Sequence, residues 1–387
     1  MKIESSRITE LDGLRGIAIG SVLIFHLNLL APTNVPWLNR IMLFGWSGVD
    51  LFFILSGFLI GGILIDNRDS ANYFSAFYAR RFCRIVPLYF LIVALYYVFY
   101  LFGGQLRADL VHAVGPPMPW YSYLTFTNNI WIARHNYMEA FASPTWSLAI
   151  EEQFYLTLPL LVRLVKPRHL PALVVALIAG IAGFRMIMCL GHHVTPIQGY
   201  VLPWFRADAL MIGVACAIVL RSDAIVAFIL RRSWVLYIAL AAFGAIIIST
   251  GGNLRPDTAD SINTYGFTVV ALFYATLLLI AILLPQHPLG RLFRLRPLRS
   301  LGKLAYCVYL LHVSVLLAAF SVLNDTSLAH NTFARWAVGV AAICVVLLVA
   351  TISWNLLESR MICIGHRFKY ARSNVQPTPR DVLPLVG

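Results

Sequence analysis

The chain has 387 residues, of which 59% are apolar and only 12% charged, and its formal net charge is +13. With a mean hydropathy of +0.76, that balance excludes an ordinary soluble domain, and apolar runs along the whole length exclude a soluble domain with a single anchor. A basic excess is normal for the cytoplasmic loops of a membrane protein, so it makes no separate case for nucleic acid.

Only a few residues, Lys2 and Arg7 among them, precede the first apolar run. That run shows no small-residue cleavage site and is expected to remain as a span rather than leave as a signal peptide. From Leu11 it reads LDGLRGIAIGSVLIFH. At about 1.5 Å per residue, His26 lies roughly 22 Å up a hydrocarbon core about 30 Å thick. Arg15 stands eleven residues earlier. That is almost three full turns, so both share one helix face about 16 Å apart. Ionisable groups at such depth are costly to insert and face a pathway, a cavity or a partner. The plainer alternative is a core histidine bonded to a neighbouring helix.

Ten spans are expected in all, at about 11–30, 45–65, 85–103, 146–165, 170–189, 203–220, 234–250, 266–284, 303–323 and 335–357. The fold class is therefore all-α, a polytopic transmembrane helical bundle. The second span begins GWSGVDLFFILSGFLIGG and carries Asp50 one or two turns inside the outer surface, with glycines that allow close helix approach. Before the third span, YARRFCRIVPLYF gathers Arg80, Arg81 and Arg84. Guanidinium groups suit multidentate phosphate binding, although inward-facing loops carry arginines in any case. The connection 104–145, rich in Pro, aromatic and amide residues, is either a lid or acceptor site over the outer mouth or an interfacial aromatic loop.

In the fourth span, SPTWSLAIEEQFYL places Ser147, Glu151 and Tyr155 on one face at i, i+4 and i+8, beside Glu152. Glu151 falls about 8 Å below the outer surface, the depth inferred for His26. The sixth span brings Arg206 and Asp208 in at a similar level. The ninth, LGKLAYCVYLLHVSV, aligns Tyr306, Tyr309 and His312. These line the same passage or form a bonded core stripe. Arg185 and Glu358 lie near helix ends, where snorkelling or surface pairing is the default. The six cysteines show no metal-ligand or disulfide spacing. A single membrane domain thus covers 1–357, followed by a basic tail, 358–387, expected to be disordered.

Sidedness follows from the connections. Of the 30 Lys and Arg, 22 fall on one side, five on the other and three (Arg15, Arg185, Arg206) within spans. Both termini are then cytoplasmic.

Four helices thus carry ionisable groups to the outer third of the membrane. A neutral imidazole held by a carboxylate is a usual general base for a hydroxyl. Glu151 is the first candidate for that carboxylate, followed by Asp208 and Asp50; pairing of these acids with Arg206 is the alternative. Asp50, Glu152, Arg206 and Asp208 are the candidates for acceptor contact. No resident metal or cofactor is expected.

Together LDGLRGIAIGSVLIFH, GVDLFFILSGFLI, RRFCRIVPLYF, SPTWSLAIEEQFYL, RADALMIG and LGKLAYCVYLLH resemble the acyltransferase-3 family of bacterial membrane O-acyltransferases, in order over nearly all of 9–357. The resemblance implies transfer of an acyl group, usually acetyl, from cytoplasmic acyl-CoA to a hydroxyl of a surface or lipid-linked saccharide. By matching position, His26 is the catalytic base, Arg15 its motif partner, and Arg81 and Arg84, with Arg80 beside them, hold the donor. Glu151 and Glu152 fall in the family's Trp-Ser-Leu-x-x-Glu-Glu segment. Some relatives carry a fused extracytoplasmic esterase-like domain. None is expected after 357, so direct transfer or a separate acceptor-processing protein is implied. The competing readings are a proton-coupled multi-pass transporter, for which no inverted repeats are found, and a non-catalytic scaffold, which leaves the polar line unexplained.

Overall fold

The computed structural model describes residues 9–103, 118–135, 144–249, 262–324 and 326–371. Lys2, Arg7, most of the 104–145 connection and the chain after 371 lie outside these residues. Every regular element among them is helical, because apolar segments in lipid must satisfy their backbone groups internally.

The long helices are α1 (Thr9–Leu30), α3 (Gly48–Asp66), α4 (Tyr73–Gly103), α7 (Thr145–Leu164), α8 (Leu170–Leu190), α10 (Pro203–Val219), α12 (Trp234–Ser249), α13 (Phe267–Leu283), α15 (Arg296–Asn324) and α16 (Thr332–Ser353). Shorter helices connect them: α2 (Pro36–Leu43), α5 (Trp120–Leu124), α6 (Asn128–His135), α9 (Pro196–Val201), α11 (Asp223–Arg231), α14 (Pro288–Phe293) and α17 (Ser359–His366).

Eight of the described segments are long and apolar enough to cross a membrane, or nine if the pair α11–α12, bent by 80°, is one span. On that count, all but one of the ten expected spans are accounted for by length and composition. The segment that falls short is α7, where Glu151, Glu152 and Gln153 in succession lower the apolarity. One face packs on the bundle, with Leu158 and Val162 fully buried, while Leu156, Leu160 and Leu164 on the other face are exposed.

Two close contacts organise the interior. Helices α3 and α10 meet at glycines: a Cβ on Gly57 would lie 1.9 Å from the Leu210 carbonyl oxygen, and one on Gly213 2.3 Å from that of Ile54. Helices α1 and α15 meet in the same way, with a Gly302 Cβ 1.8 Å from the Asp12 oxygen and a Gly16 Cβ 2.0 Å from that of Leu298. Small residues let helix backbones approach where no hydrophobic force draws them together in lipid. Large apolar side chains such as Leu95, Val98, Phe333 and Leu348 remain exposed, facing outward from the bundle.

One end of the bundle is rich in arginine and closed by polar contacts. Arg294 Nε donates to Glu10 Oε1 at 2.5 Å, and Arg221 grips Asp66 with two bonds of 2.6 and 2.7 Å. The expected tail boundary at 358 is too early. After α16 the helix widens into a π turn, Trp354–Glu358, and continues as α17 to His366, packed against α4. Glu358 is only 6% exposed, so it is an interior residue and not the first of a solvated tail.

Candidate functional site

A cavity of about 190 Å³ opens from the arginine-rich end between α1, α3, α4, α7, α15 and the π turn. Engineered cavities of about 150 Å³ accept a benzene ring. The space therefore suits a narrow acyl or thioester arm and leaves a nucleotide outside. Arg15, Arg81, Arg84 and Lys303 line it, together with the carboxylates of Asp12, Glu151 and Glu358. Arg15 Nη1 holds Asp12 at 3.3 Å, one turn back on α1. Ser353 Oγ donates to Glu358 at 3.1 Å. The Arg81 guanidinium stands 5.9 Å over the Tyr155 ring.

The helical register of α7 works as its sequence predicts, since Ser147, Glu151 and Tyr155 all face this cavity. Tyr155 Oη is 3.5 Å from Glu151 and in short contact with Ser56 Oγ on α3. At the far end, Ser147 Oγ and Tyr309 Oη are hydrogen-bonded at 2.6 Å. The Phe52 ring packs 5.9 Å from that of Tyr309. This layer closes the cavity.

His26 lies beyond it and is absent from the cavity wall. Its neighbour is not a carboxylate. His312 on α15 points Nε2 at His26 Nδ1 across 3.2 Å, with the ring centroids 4.7 Å apart. His26 Nδ1 also contacts the Val22 carbonyl at 2.9 Å, and His312 Nδ1 that of Tyr309 at 2.7 Å. A carbonyl oxygen can only accept, so both Nδ1 atoms carry the hydrogen. His26 Nδ1–H then reaches Val22 and His312 together, and His26 Nε2 keeps its lone pair.

The expected pairing of His26 with Glu151, Asp208 or Asp50 is therefore corrected. Glu151 turns to the cavity arginines. Asp50 pairs with Arg206 at 2.9 Å, and Asp208 with Arg185 at 3.0 Å and the Thr268 hydroxyl at 2.6 Å. This second charge centre joins α3, α8, α10 and α13, with the Arg206 guanidinium 3.7 Å over the Phe267 ring. Both ion pairs are buried, which also corrects the surface role expected of Arg185. Neither Asp50, Glu152, Arg206 nor Asp208 reaches the cavity. Arg80 lies outside it as well, in an adjoining cleft beside α17.

The spacing in α1 predicts Arg15 and His26 on one side; His26 meets His312 on α15, and Arg15 lines the cavity that Gly302 and Lys303 of α15 also line. Ser56, Lys303 and Glu358 are cavity residues that sequence reasoning left aside. A serine one or two turns from Asp50 in an otherwise apolar span was the available signal for Ser56. Among the described residues no group of three or more His, Cys, Asp or Glu is placed to hold a metal ion.

A family model described as an acyltransferase domain matches residues 8–355. A protein described as a putative peptidoglycan O-acetyltransferase, YrhL of Bacillus subtilis strain 168, is 29% identical over 93% of this chain and 56% of its own length. The O-acetyltransferase OatA of Staphylococcus aureus is 26% identical over 90% of this chain and 56% of its own. The peptidoglycan O-acetyltransferase OatA of Listeria monocytogenes is 28% identical over 82% and 51%. The chain thus spans about half the length of the curated relatives it matches. No solved structure matches it.

Proposed function

Because the chain belongs to the acyltransferase family, we propose that this multi-pass membrane protein is an O-acyltransferase. It moves an acyl group, acetyl by likeness to its named relatives, from acyl-CoA to a saccharide hydroxyl of the peptidoglycan type. The arginine-rich end faces the cytoplasm and receives the donor. One observation supports this most directly: a cavity lined by Arg15, Arg81, Arg84 and Lys303 ends one hydroxyl layer short of a histidine with a free Nε2. Transport has no observation in its favour.

The thioester arm enters the cavity and Tyr309 turns aside to admit the carbonyl to His26. His26 Nε2 removes the acceptor O–H proton as that oxygen bonds to the thioester carbon. The Ser147 hydroxyl, released from its bond to Tyr309, is the donor assigned to the oxyanion. Collapse breaks the C–S bond, and the departing thiolate takes the proton back from His26. The products are one ester and one free thiol. His312 acts as a positioning residue, fixing the His26 ring through Nδ1 in the role first assigned to a carboxylate.

The test uses the protein in nanodiscs with acetyl-CoA labelled on the acetyl group and peptidoglycan fragments as acceptor. General-base removal costs about 10²–10⁴ in rate, so His26→Ala should lose transfer by that factor with its thermal unfolding unchanged. His312→Ala should show an intermediate loss in kcat. Equal transfer by His26→Ala and wild type sinks the general-base assignment. A folded wild type that releases no thiol sinks acyl-CoA as donor.

A further inference from the structure

Beside the main cavity, the arginine-rich end holds a second cleft that shares Arg81, Arg84 and Ile362 with it. Its other polar members are Arg80, His366 and Tyr370, and no carboxylate lines it. The main cavity balances its cations with three acids, whereas this cleft sets three arginines beside a histidine and a tyrosine with no acid among them. Such a set suits a phosphate.

The far wall belongs to a part of the chain beyond residue 355, where the family match stops. It is firmly built. A Cβ on Gly365 would lie 3.2 Å from Cys83 Cβ, so α17 rests directly on α4. Arg80 Nε donates to the Phe368 carbonyl at 2.7 Å, and its guanidinium stands 4.9 Å over the Tyr370 ring. Asn72 clasps the same segment twice, donating to the Lys369 carbonyl at 2.9 Å and accepting from Ala371 N at 2.7 Å. Within this framework the Tyr370 hydroxyl is buried and has no hydrogen-bond partner. Burial raises its pKa above the ordinary value, against the pull of Arg80 and Arg81, so it is held as a donor. A buried hydroxyl without a partner is costly and calls for one.

We propose that this cleft is a phosphomonoester site, in which Tyr370 and His366 join Arg80 to hold the ribose 3′-phosphate of the acyl donor. The assignment rests on the acyl-CoA reading given above. With the thioester arm in the main cavity, the donor's pyrophosphate falls at the shared Arg81 and Arg84. The next group along the molecule is the phosphorylated ribose, and the next space is this cleft. The headgroup phosphate of an anionic lipid presents the same chemistry, and the experiment separates the two.

Full-length protein in nanodiscs of neutral phosphatidylcholine is titrated with CoA and with 3′-dephospho-CoA by calorimetry. Wild type is expected to prefer CoA by about tenfold or more. Tyr370→Phe and His366→Gln should each shrink that preference several-fold and leave dephospho-CoA affinity unchanged. Asn72→Ala, which frees the wall without altering its lining, should do the same. Unchanged thermal unfolding of Tyr370→Phe verifies that the loss is local. Equal CoA affinity in wild type and in Tyr370→Phe combined with His366→Gln overturns the site and leaves the donor assignment standing. Wild type that binds both nucleotides equally, yet depends on Tyr370 for binding phosphatidylglycerol vesicles, makes the cleft a lipid site and also overturns it. No CoA binding by wild type overturns the donor itself.

Discussion

Val22 O and Tyr309 O, each one turn back along its own helix, favour the Nδ1–H tautomer in both rings of the histidine pair. Acidic side chains near His26 in sequence-derived depth are engaged elsewhere, most plainly in the Asp50–Arg206 pair. That pair leaves Asp50 Oδ2 and Arg206 Nε and Nη1 without partners. Removing one member of a buried pair typically costs about 3–5 kcal/mol, because the survivor is left as an uncompensated charge. Arg206→Ala should therefore lower stability by about that much, whereas Asp50→Asn combined with Arg206→Gln should cost distinctly less. Denaturant unfolding in detergent micelles measures both. Equal losses would mean that the pair does not hold α3 to α10. Arg15, Arg81, Arg84 and the Ser147–Glu151–Tyr155 face were legible in sequence, because each depends on helical register or on a local cluster. The His26–His312 contact was not, since its partners are 286 positions apart and only the packing of α1 on α15 brings them together. Arg185 and Glu358 were misjudged for a related reason: nearness to a helix end in sequence does not reveal what covers that end.

Among elements, the α1–α15 contact is one of the tightest. A Gly302 side chain would meet the Asp12 carbonyl and the Gly16 nitrogen, all backbone atoms that do not rotate away. Gly20, on the same helix as Asp12, meets nothing nearer than Leu301 Cδ2 at 3.8 Å, an ordinary contact. Gly302→Ala should thus cost at least the 1–3 kcal/mol usual for overpacking, about that or more, while Gly20→Ala should be neutral or slightly stabilising. Thermal unfolding of the two variants in one detergent compares them directly, and similar melting points would contradict the close crossing. Apolar periodicity and glycine content made the helices and their tight packing readable. The π turn at Trp354–Glu358 and the 80° bend between α11 and α12 were not readable, because both arise from how neighbouring helices meet. Neither carries a proline or glycine at the break itself, which reads WNLLE at 354–358 and RS at 232–233.

At the scale of the whole molecule, the Ser147–Tyr309 layer divides the bundle into a cavity entered from one end and a histidine pair beyond it. A partition of this kind would shield a thioester in the cavity from water on the far side. Tyr309→Phe removes the bond to Ser147 while keeping the ring. It should raise acceptor-independent thiol release several-fold over the wild-type background and lower productive transfer. A thiol assay on acetyl-CoA without acceptor reads the leak, and an unchanged background would deny the layer that protective role.

That layer also bears on what a cell would gain. On the proposed function, donor and acceptor would meet across it from opposite ends, and each turnover would export two carbons and return the carrier thiol to the side it came from. The bundle would then need no separate ion gradient or nucleotide hydrolysis to drive modification outside. The thioester's own group-transfer potential, made from cytoplasmic metabolism, would be the fuel, and the direction of flow would be fixed by which end of the protein admits it.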